Sequence, residues 1–278
     1  NHEEGIAGQT AVFDMVVLRM TTYKLVGKFE HEGVTYDKLQ KRDFLINAGL
    51  EQVAAYFLEA RGTTALRKYV ETVQGIQDHK FLNWVENAKF QGDLYAMPEG
   101  TIFFAHEHQL RLHGSFEEAQ LFESLILNTI NPQTNVATIA NDIAQIAAGK
   151  ILLEGGSRRA TSPQSAIFNS RAARIGGFTA SSNVAYGILH NEKVGGTHGH
   201  SYVMLHPSEY SAFKAQAQTL GNNVCFLLDT YNVQNALERA LQIITEENLT
   251  HAAFRIDSGD LLSQALSIHT QLQSRGFS

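Results

Sequence analysis

The sequence predicts an α/β protein whose second half builds a parallel sheet, either doubly wound or closed into a barrel. Three observations carry this. Beyond residue 150, short apolar segments (KILLEGG, GGTHGHSYVML, NVCFLLDTY and HAAFRIDSG) read as strands and are interleaved with helical patterns, as expected of parallel strands joined by helical crossovers. KILLEGG, NVCFLLDTY and HAAFRIDSG run into small and polar residues at their ends, which a parallel sheet gathers on one rim. A chain of 278 residues that is 44% hydrophobic can also bury a substantial core.

Taken in order, TAVFDMVVLRM is rich in β-branched and aromatic residues and predicts a strand. In LINAGLEQVAAYFLEA, Leu50, Val53, Ala54 and Phe57 fall on one helical stripe. Trp84 and Val85 sit in another short helical pattern as core residues, and GDLYAMPEGTIFFAHEHQLRLHG gives strands broken by a turn at Pro98–Gly100. Ser115 with Glu118 three residues on is a capping box opening a helix. Pro132 is expected to close it, and TNVATIANDIAQIAAG to form another ending at Gly149. NVQNALERALQIITEEN and LLSQALSIHTQLQ predict two further helices. The texture change at residue 115 suggests domains over 1–114 and 115–278.

Composition excludes several classes. Net charge is −6 with no basic tract, so extended contact with nucleic acid or an anionic membrane is not expected. No apolar run approaches the ~20 residues that span a bilayer. The single cysteine, Cys225, lies in an apolar stretch as an expected core thiol and cannot form an internal disulfide, which suits a reducing, cytoplasmic setting.

Four constellations could carry chemistry. Arg158 and Arg159 follow two glycines at a strand end and could grip phosphate or carboxylate. In RIDSGD, Asp257 and Asp260 could hold Mg²⁺ with its waters or accept from ribose hydroxyls, although Asp260 could equally cap the next helix. Gly176 and Gly177 could let backbone approach a ligand, with Ser181 and Ser182 supplying hydrogen bonds. His198 and His200, if on a strand, face the same side and could share a metal, with Asp229 and Asp257 as further ligands.

The stretches AGLEQV, GDLYAMPEGT, EAQLFESLILNTIN, GSRRA, SRAARIGGFTASSNV, GGTHGHSYV, LLDTYNV and RIDSGDL occur in one order over nearly the whole chain. Together they resemble the nicotinate phosphoribosyltransferase family, the type II phosphoribosyltransferases. The resemblance implies an N-terminal α/β open-faced sandwich, an irregular α/β barrel (incomplete in this chain) and a homodimer. It implies synthesis of nicotinate mononucleotide and pyrophosphate from nicotinate and phosphoribosyl pyrophosphate, with Mg²⁺ and assistance from ATP.

By the family pattern Gly-Thr-x-Ala-His-Ser, Thr197 lies in the site, His200 is the histidine phosphorylated by ATP, and His198 is in the variable position. Asp229 would orient that imidazole, Arg255 would lie against the pyridine ring, and Asp257 would hold the ribose hydroxyls. Arg158 and Arg159 would neutralise phosphate charge, and Asp260 belongs to the same motif as Asp257. Related nicotinamide enzymes carry an aspartate where this chain has Ser182, so a neutral Ser182 favours a carboxylate substrate.

Departures are also expected to matter. Gly155 stands where the family often has an aromatic, and Gly199 where it has alanine. Family segments expected before Asn1 and after Ser278 are not in this chain, so the isolated chain is expected to show weak or no activity. The rival readings are a quinolinate or nicotinamide phosphoribosyltransferase, a non-catalytic relative acting as a binding module, and, more distantly, a metal hydrolase using His198 and His200.

Overall fold

A computed structural model of the chain describes residues 9–17, 23–31 and 34–277. The chain forms two compact units, Asn1–Gly195 and Gly196–Ser278.

The first unit opens with antiparallel strands. Strand β1 (Thr10–Val16), with exposure alternating along its length, pairs with β7 (His108–Ser115), which also pairs with β5 (Asp93–Ala96). Two further antiparallel pairs are β2 (Tyr23–His31) with β3 (Val34–Lys41), and β4 (Leu45–Ile46) with β6 (Ile102–Phe103). Helices α1 (Leu50–Glu59), α2 (Thr64–Thr72) and α3 (His79–Asn87) lie between them in sequence. Val53 and Phe57 of α1 are buried with Leu110, Leu112, Phe122, Ile126 and Ile130. Phe57 meets Phe90 and Phe122 at centroid distances of 4.5 and 4.4 Å, the tilted aromatic packing that adds about 0.5–1.5 kcal/mol per pair to area burial.

Helix α4 (Phe116–Ala147) starts at the expected Ser115–Glu118 capping box, but Pro132 does not end it. An interior proline costs about 3 kcal/mol. That cost is outweighed because Phe122, Ile126 and Ile130 before it, and Thr134, Ala137 and Thr138 after it, continue one buried face. Burying each large apolar side chain returns about 1.5–3 kcal/mol. The same face is fastened to the strands: the Ile46 backbone N–H donates to Thr138 Oγ1 at 2.9 Å and the Gln109 side-chain Nε2 donates to Thr134 Oγ1 at 2.9 Å. The expected boundary at 114/115 falls inside this unit, at the start of α4, which packs on β1 and β7.

After α4, strands β8 (Leu153–Glu154) and β9 (Ala180–Ser181) pair in parallel, flanked by α5 (Pro163–Ile175) and α6 (Val184–His190). Gly176 and Gly177, expected as a ligand approach, instead let the end of α5 lie on α4. A Cβ at Gly176 would sit 2.2 Å from Ala137 O, and Gly177 has φ +109°.

The second unit contains α7 (His200–Leu205), α8 (Glu209–Leu220), β10 (Cys225–Leu227), α9 (Val233–Glu246), β11 (Ala253–Arg255) and α10 (Leu261–Ser274). β10 and β11 are parallel, and α9 joins them. Phe213, Phe226, Leu228, Leu237 and Ile243 form its fully buried core. Cys225 is half-buried rather than enclosed, and burial pushes its thiol up from the usual range. Among the described residues the parallel strands occur as two separate pairs and do not close into a barrel. No helix among them is long and apolar enough to cross a membrane.

Candidate active site

The clearest constellation lies in the second unit, and strand register creates it. Parallel pairing sets Leu227 beside Arg255, so the residues two further along, Asp229 and Asp257, leave the sheet side by side. There the Asp257 N–H donates to Asp229 Oδ2 at 3.2 Å, and Ser258 Oγ donates to the same oxygen at 2.5 Å. The other oxygen, Oδ1, lies 3.3 Å from His200 Nε2. The Asp229 side chain is 4% exposed and that of His200 34%. Burial works against ionisation of Asp229, but the bonds from Ser258, the Asp257 amide and His200 together hold its carboxyl below the usual range. An ionised Asp229 accepts the Nε2–H of the imidazole and leaves Nδ1 with the lone pair.

His200 occupies this position because the expected strand over 195–205 is in part a helix. Gly199 is the N-cap of α7 and His200 its first residue. The shared-face argument for a histidine pair on a strand therefore lapses. His198 instead packs at a tilt on Tyr202, ring centroids 4.4 Å apart, and Tyr202 likewise on His206 at 4.8 Å.

Around the pair, Arg255 bridges the loop to the strand end. One guanidinium nitrogen donates to Thr197 Oγ1 at 2.5 Å and the other to Asp257 Oδ1 at 2.7 Å. Thr197, His200, Asp229, Arg255 and Asp257 thus form one connected network. Asp260 is a helix cap: its carboxylate accepts from the Ser263 N–H at 3.1 Å and from Ser263 Oγ at 2.7 Å, and the Ser263 hydroxyl and amide hold its carboxyl below the usual range. Ser258 escaped the sequence reading because serine in a turn carries no distinctive signal; only the register identifies it as an Asp229 partner.

In the first unit, Arg158 and Arg159 lie in a single 3-10 turn, Ser157–Arg159, directly after β8. Both are exposed, and neither guanidinium is engaged in an ion pair or hydrogen bond among the described residues. Arg159 borders a cleft of about 470 Å³. Ser182 follows β9, its N–H donating to Glu154 O at 2.8 Å. A Cβ on Gly155 would lie 4.0 Å from Ser182 Oγ with nothing nearer, so Gly155 faces Ser182.

Among the described residues no group of three or more His, Cys, Asp or Glu side chains could hold a metal ion. Asp257 keeps one carboxylate oxygen, Oδ2, without a hydrogen bond among the described residues. That suits an ion such as Mg²⁺, which retains waters and is held by one or two carboxylates together with substrate phosphates.

Comparison with known proteins bears on the family and the fold. A family model described as the nicotinate phosphoribosyltransferase (NAPRTase) N-terminal domain matches residues 14–131. The chain is 35% identical over 237 residues to a nicotinate phosphoribosyltransferase of Bacillus subtilis, covering 84% of this chain and 48% of that protein. It is 31% identical over 281 residues to one from Mycobacterium tuberculosis, covering 98% and 57%. The crystal structure of human nicotinic acid phosphoribosyltransferase superposes with a TM-score of 0.83 at 25% identity, over 98% of this chain and 62% of that one. A nicotinate-nucleotide pyrophosphorylase from Pyrococcus furiosus shares the fold, with a TM-score of 0.73 at 20% identity over 100% and 60%. The chain spans about half the length of the curated relatives it matches.

Proposed function

Because the chain belongs to the nicotinate phosphoribosyltransferase family, we propose that its protein joins nicotinate to phosphoribosyl pyrophosphate in NAD synthesis. The products are nicotinate mononucleotide and pyrophosphate, and ATP hydrolysis assists through a phosphohistidine at His200. The observation that carries the ATP step is the His200–Asp229 pair inside the Thr197–Arg255–Asp257 network.

With Nε2–H held by Asp229, Nδ1 is the nitrogen left to attack the γ-phosphorus. The Nδ1–P bond forms, the bridging P–O bond breaks, and ADP leaves with the electron pair. The ring then carries positive charge, which the Asp229 carboxylate stabilises in place. The glycosyl step passes through an oxocarbenium-like state, so positioning and charge placement outweigh proton transfer. Asp257 is assigned to the ribose hydroxyls and to Mg²⁺ accompanying the pyrophosphate, Arg255 to the pyridine ring, and Arg158 and Arg159 to phosphate. When bound there, Mg²⁺ would supply positive charge opposite the pyrophosphate leaving group. Ser182, having no charge, leaves room for the nicotinate carboxylate. Asp260 contributes by capping α10 and so fixing the turn that carries Asp257 and Ser258. A cytoplasmic homodimer is the proposed working form.

The test is the initial rate with nicotinate and phosphoribosyl pyrophosphate, with and without ATP, in wild type and His200→Ala. The reading requires stimulation by ATP that the substitution removes. Equal stimulation in both proteins would refute the assignment of His200.

A further inference from the structure

Glu154, the residue before the Gly155–Arg159 turn, has been given no role so far, yet its carboxylate is tied to three separate segments. Oε1 accepts the Gly156 N–H at 2.5 Å, closing the turn that presents Arg158 and Arg159. Oε2 accepts from Ser170 Oγ of α5 and from Ser181 Oγ at the end of β9, each at 2.8 Å. The two serine hydroxyls lie 3.0 Å apart, so they converge on one oxygen. Parallel register sets Glu154 beside Ser181, and the Glu154 carbonyl accepts the Ser182 N–H. A second bridge runs beside it: Ser181 Oγ accepts the Asn183 N–H at 3.0 Å, and Asn183 Nδ2 donates to Ser157 Oγ at 3.2 Å.

We infer that Glu154 is a positioning residue that locks the arginine turn (155–159) and the serine loop (181–183) into one rigid piece. It thereby sets the spacing between the phosphate-gripping arginines and the substrate-choosing Ser182. This inference rests on the proposed function for what the two loops bind, but the clamp itself is a property of the fold. A lone carboxylate at a strand end is ordinarily a solvated side chain. Here the side chain is partly buried, and it accepts from one backbone amide and two hydroxyls drawn from three elements. Loops held this way lose little entropy when a ligand arrives, which is how preorganisation raises affinity.

The chemistry of the partners gives a discriminating pair of variants. The Gly156 N–H can only donate, whereas serine hydroxyls can donate or accept. Glu154→Gln can turn its oxygen to Gly156 and its amide to the two serines, so it keeps the geometry without the charge. Glu154→Ala keeps neither.

In the intact protein, Glu154→Ala is expected to weaken phosphoribosyl pyrophosphate binding by about 10- to 100-fold by calorimetry, the scale of a misplacement near 1 Å, with Glu154→Gln recovering to within about threefold. Hydrogen exchange at 155–159 and 181–183 should rise together in Glu154→Ala and stay near wild type in Glu154→Gln. A Glu154→Ala protein that is folded, binds within twofold of wild type and keeps both loops protected overturns the inference. If wild type itself fails to bind phosphoribosyl pyrophosphate, the functional reading falls. The clamp is then judged by exchange alone, with coupled loosening of the two loops supporting it and unchanged protection refuting it.

Discussion

Replacing Asp229 by Asn is the sharpest perturbation of the proposed phosphohistidine. The substitution is nearly isosteric, and it forces a choice. If the new amide turns its oxygen to His200, its NH₂ faces the Asp257 N–H, 3.2 Å from the present Oδ2, and two donors meet. If it turns its NH₂ to His200, Nε2 must accept, the proton moves to Nδ1, and the attacking lone pair is lost. Either way the charge that stabilises the phosphorylated ring is gone. Unit charges at the observed 3.3 Å interact by about 5 kcal/mol at an effective dielectric near 20. Because the His200 side chain is 34% exposed, solvent reduces this to roughly half, or about a hundredfold in rate. Rapid-quench transfer of label from γ-labelled ATP to the protein reads this step, with ATP-independent synthesis of nicotinate mononucleotide as the internal control. Labelling in Asp229→Asn within threefold of wild type would refute both the tautomer argument and the electrostatic one.

Three other outcomes follow from the same structure. His198→Ala should retain ATP stimulation to within about threefold while His200→Ala loses it, because the His198 ring packs on Tyr202 and its backbone carbonyl, which accepts from Arg255 at 3.4 Å, survives the substitution; equal losses in ATP-coupled rate assays would contradict this. Ser182→Asp should lower kcat/KM for nicotinate by at least about tenfold and raise the ratio for nicotinamide, since like charges repel and an amide can donate; an unchanged ratio in paired substrate assays would remove Ser182 from substrate choice. Glu99→Gln should destabilise the fold by about 2–3 kcal/mol in urea titrations, because Glu99 accepts the N–H groups of Gly49 and Leu50 at the start of α1 and pairs with Arg171 of α5 at 2.6 Å. Although burial opposes ionisation of Glu99, Arg171 and the two amides hold its carboxyl below 4.5. Its stabilisation is therefore complete above about pH 4.5 and is lost as the pH falls through the lowered folded value, so the stability gap between wild type and variant should close in acid.

Much of the fold was readable because helix ends announce themselves. Ser115 with Glu118, and Asp260 with Ser263, are local hydrogen-bonding devices that require no knowledge of the rest of the chain. β10 and β11 were readable as short apolar runs ending in aspartate. Two segments were misread for opposite reasons. Pro132 carries a strong local penalty that the tertiary burial of α4 overrides, and burial cannot be seen in a single residue's propensity. The GGTHGHSYVML segment looks extended because Tyr202 and Val203 favour strands and the run is short and apolar, yet six of its residues become helix, too few for periodicity to decide. At the site, the aspartates and arginines were visible as charged residues in unusual company, whereas Ser258 and Glu154 were not. Their roles come from parallel register, which sets Glu154 beside Ser181 and brings the loop after Arg255 against Asp229.

The central claim is tested most directly by following ring-labelled nicotinate with phosphoribosyl pyrophosphate in the intact protein that carries this chain, with and without ATP. The account predicts labelled nicotinate mononucleotide and pyrophosphate in equal amounts, formed faster with ATP, and with His200 isolated as a phosphohistidine during turnover. A folded protein that binds both substrates yet forms no mononucleotide under either condition would contradict it.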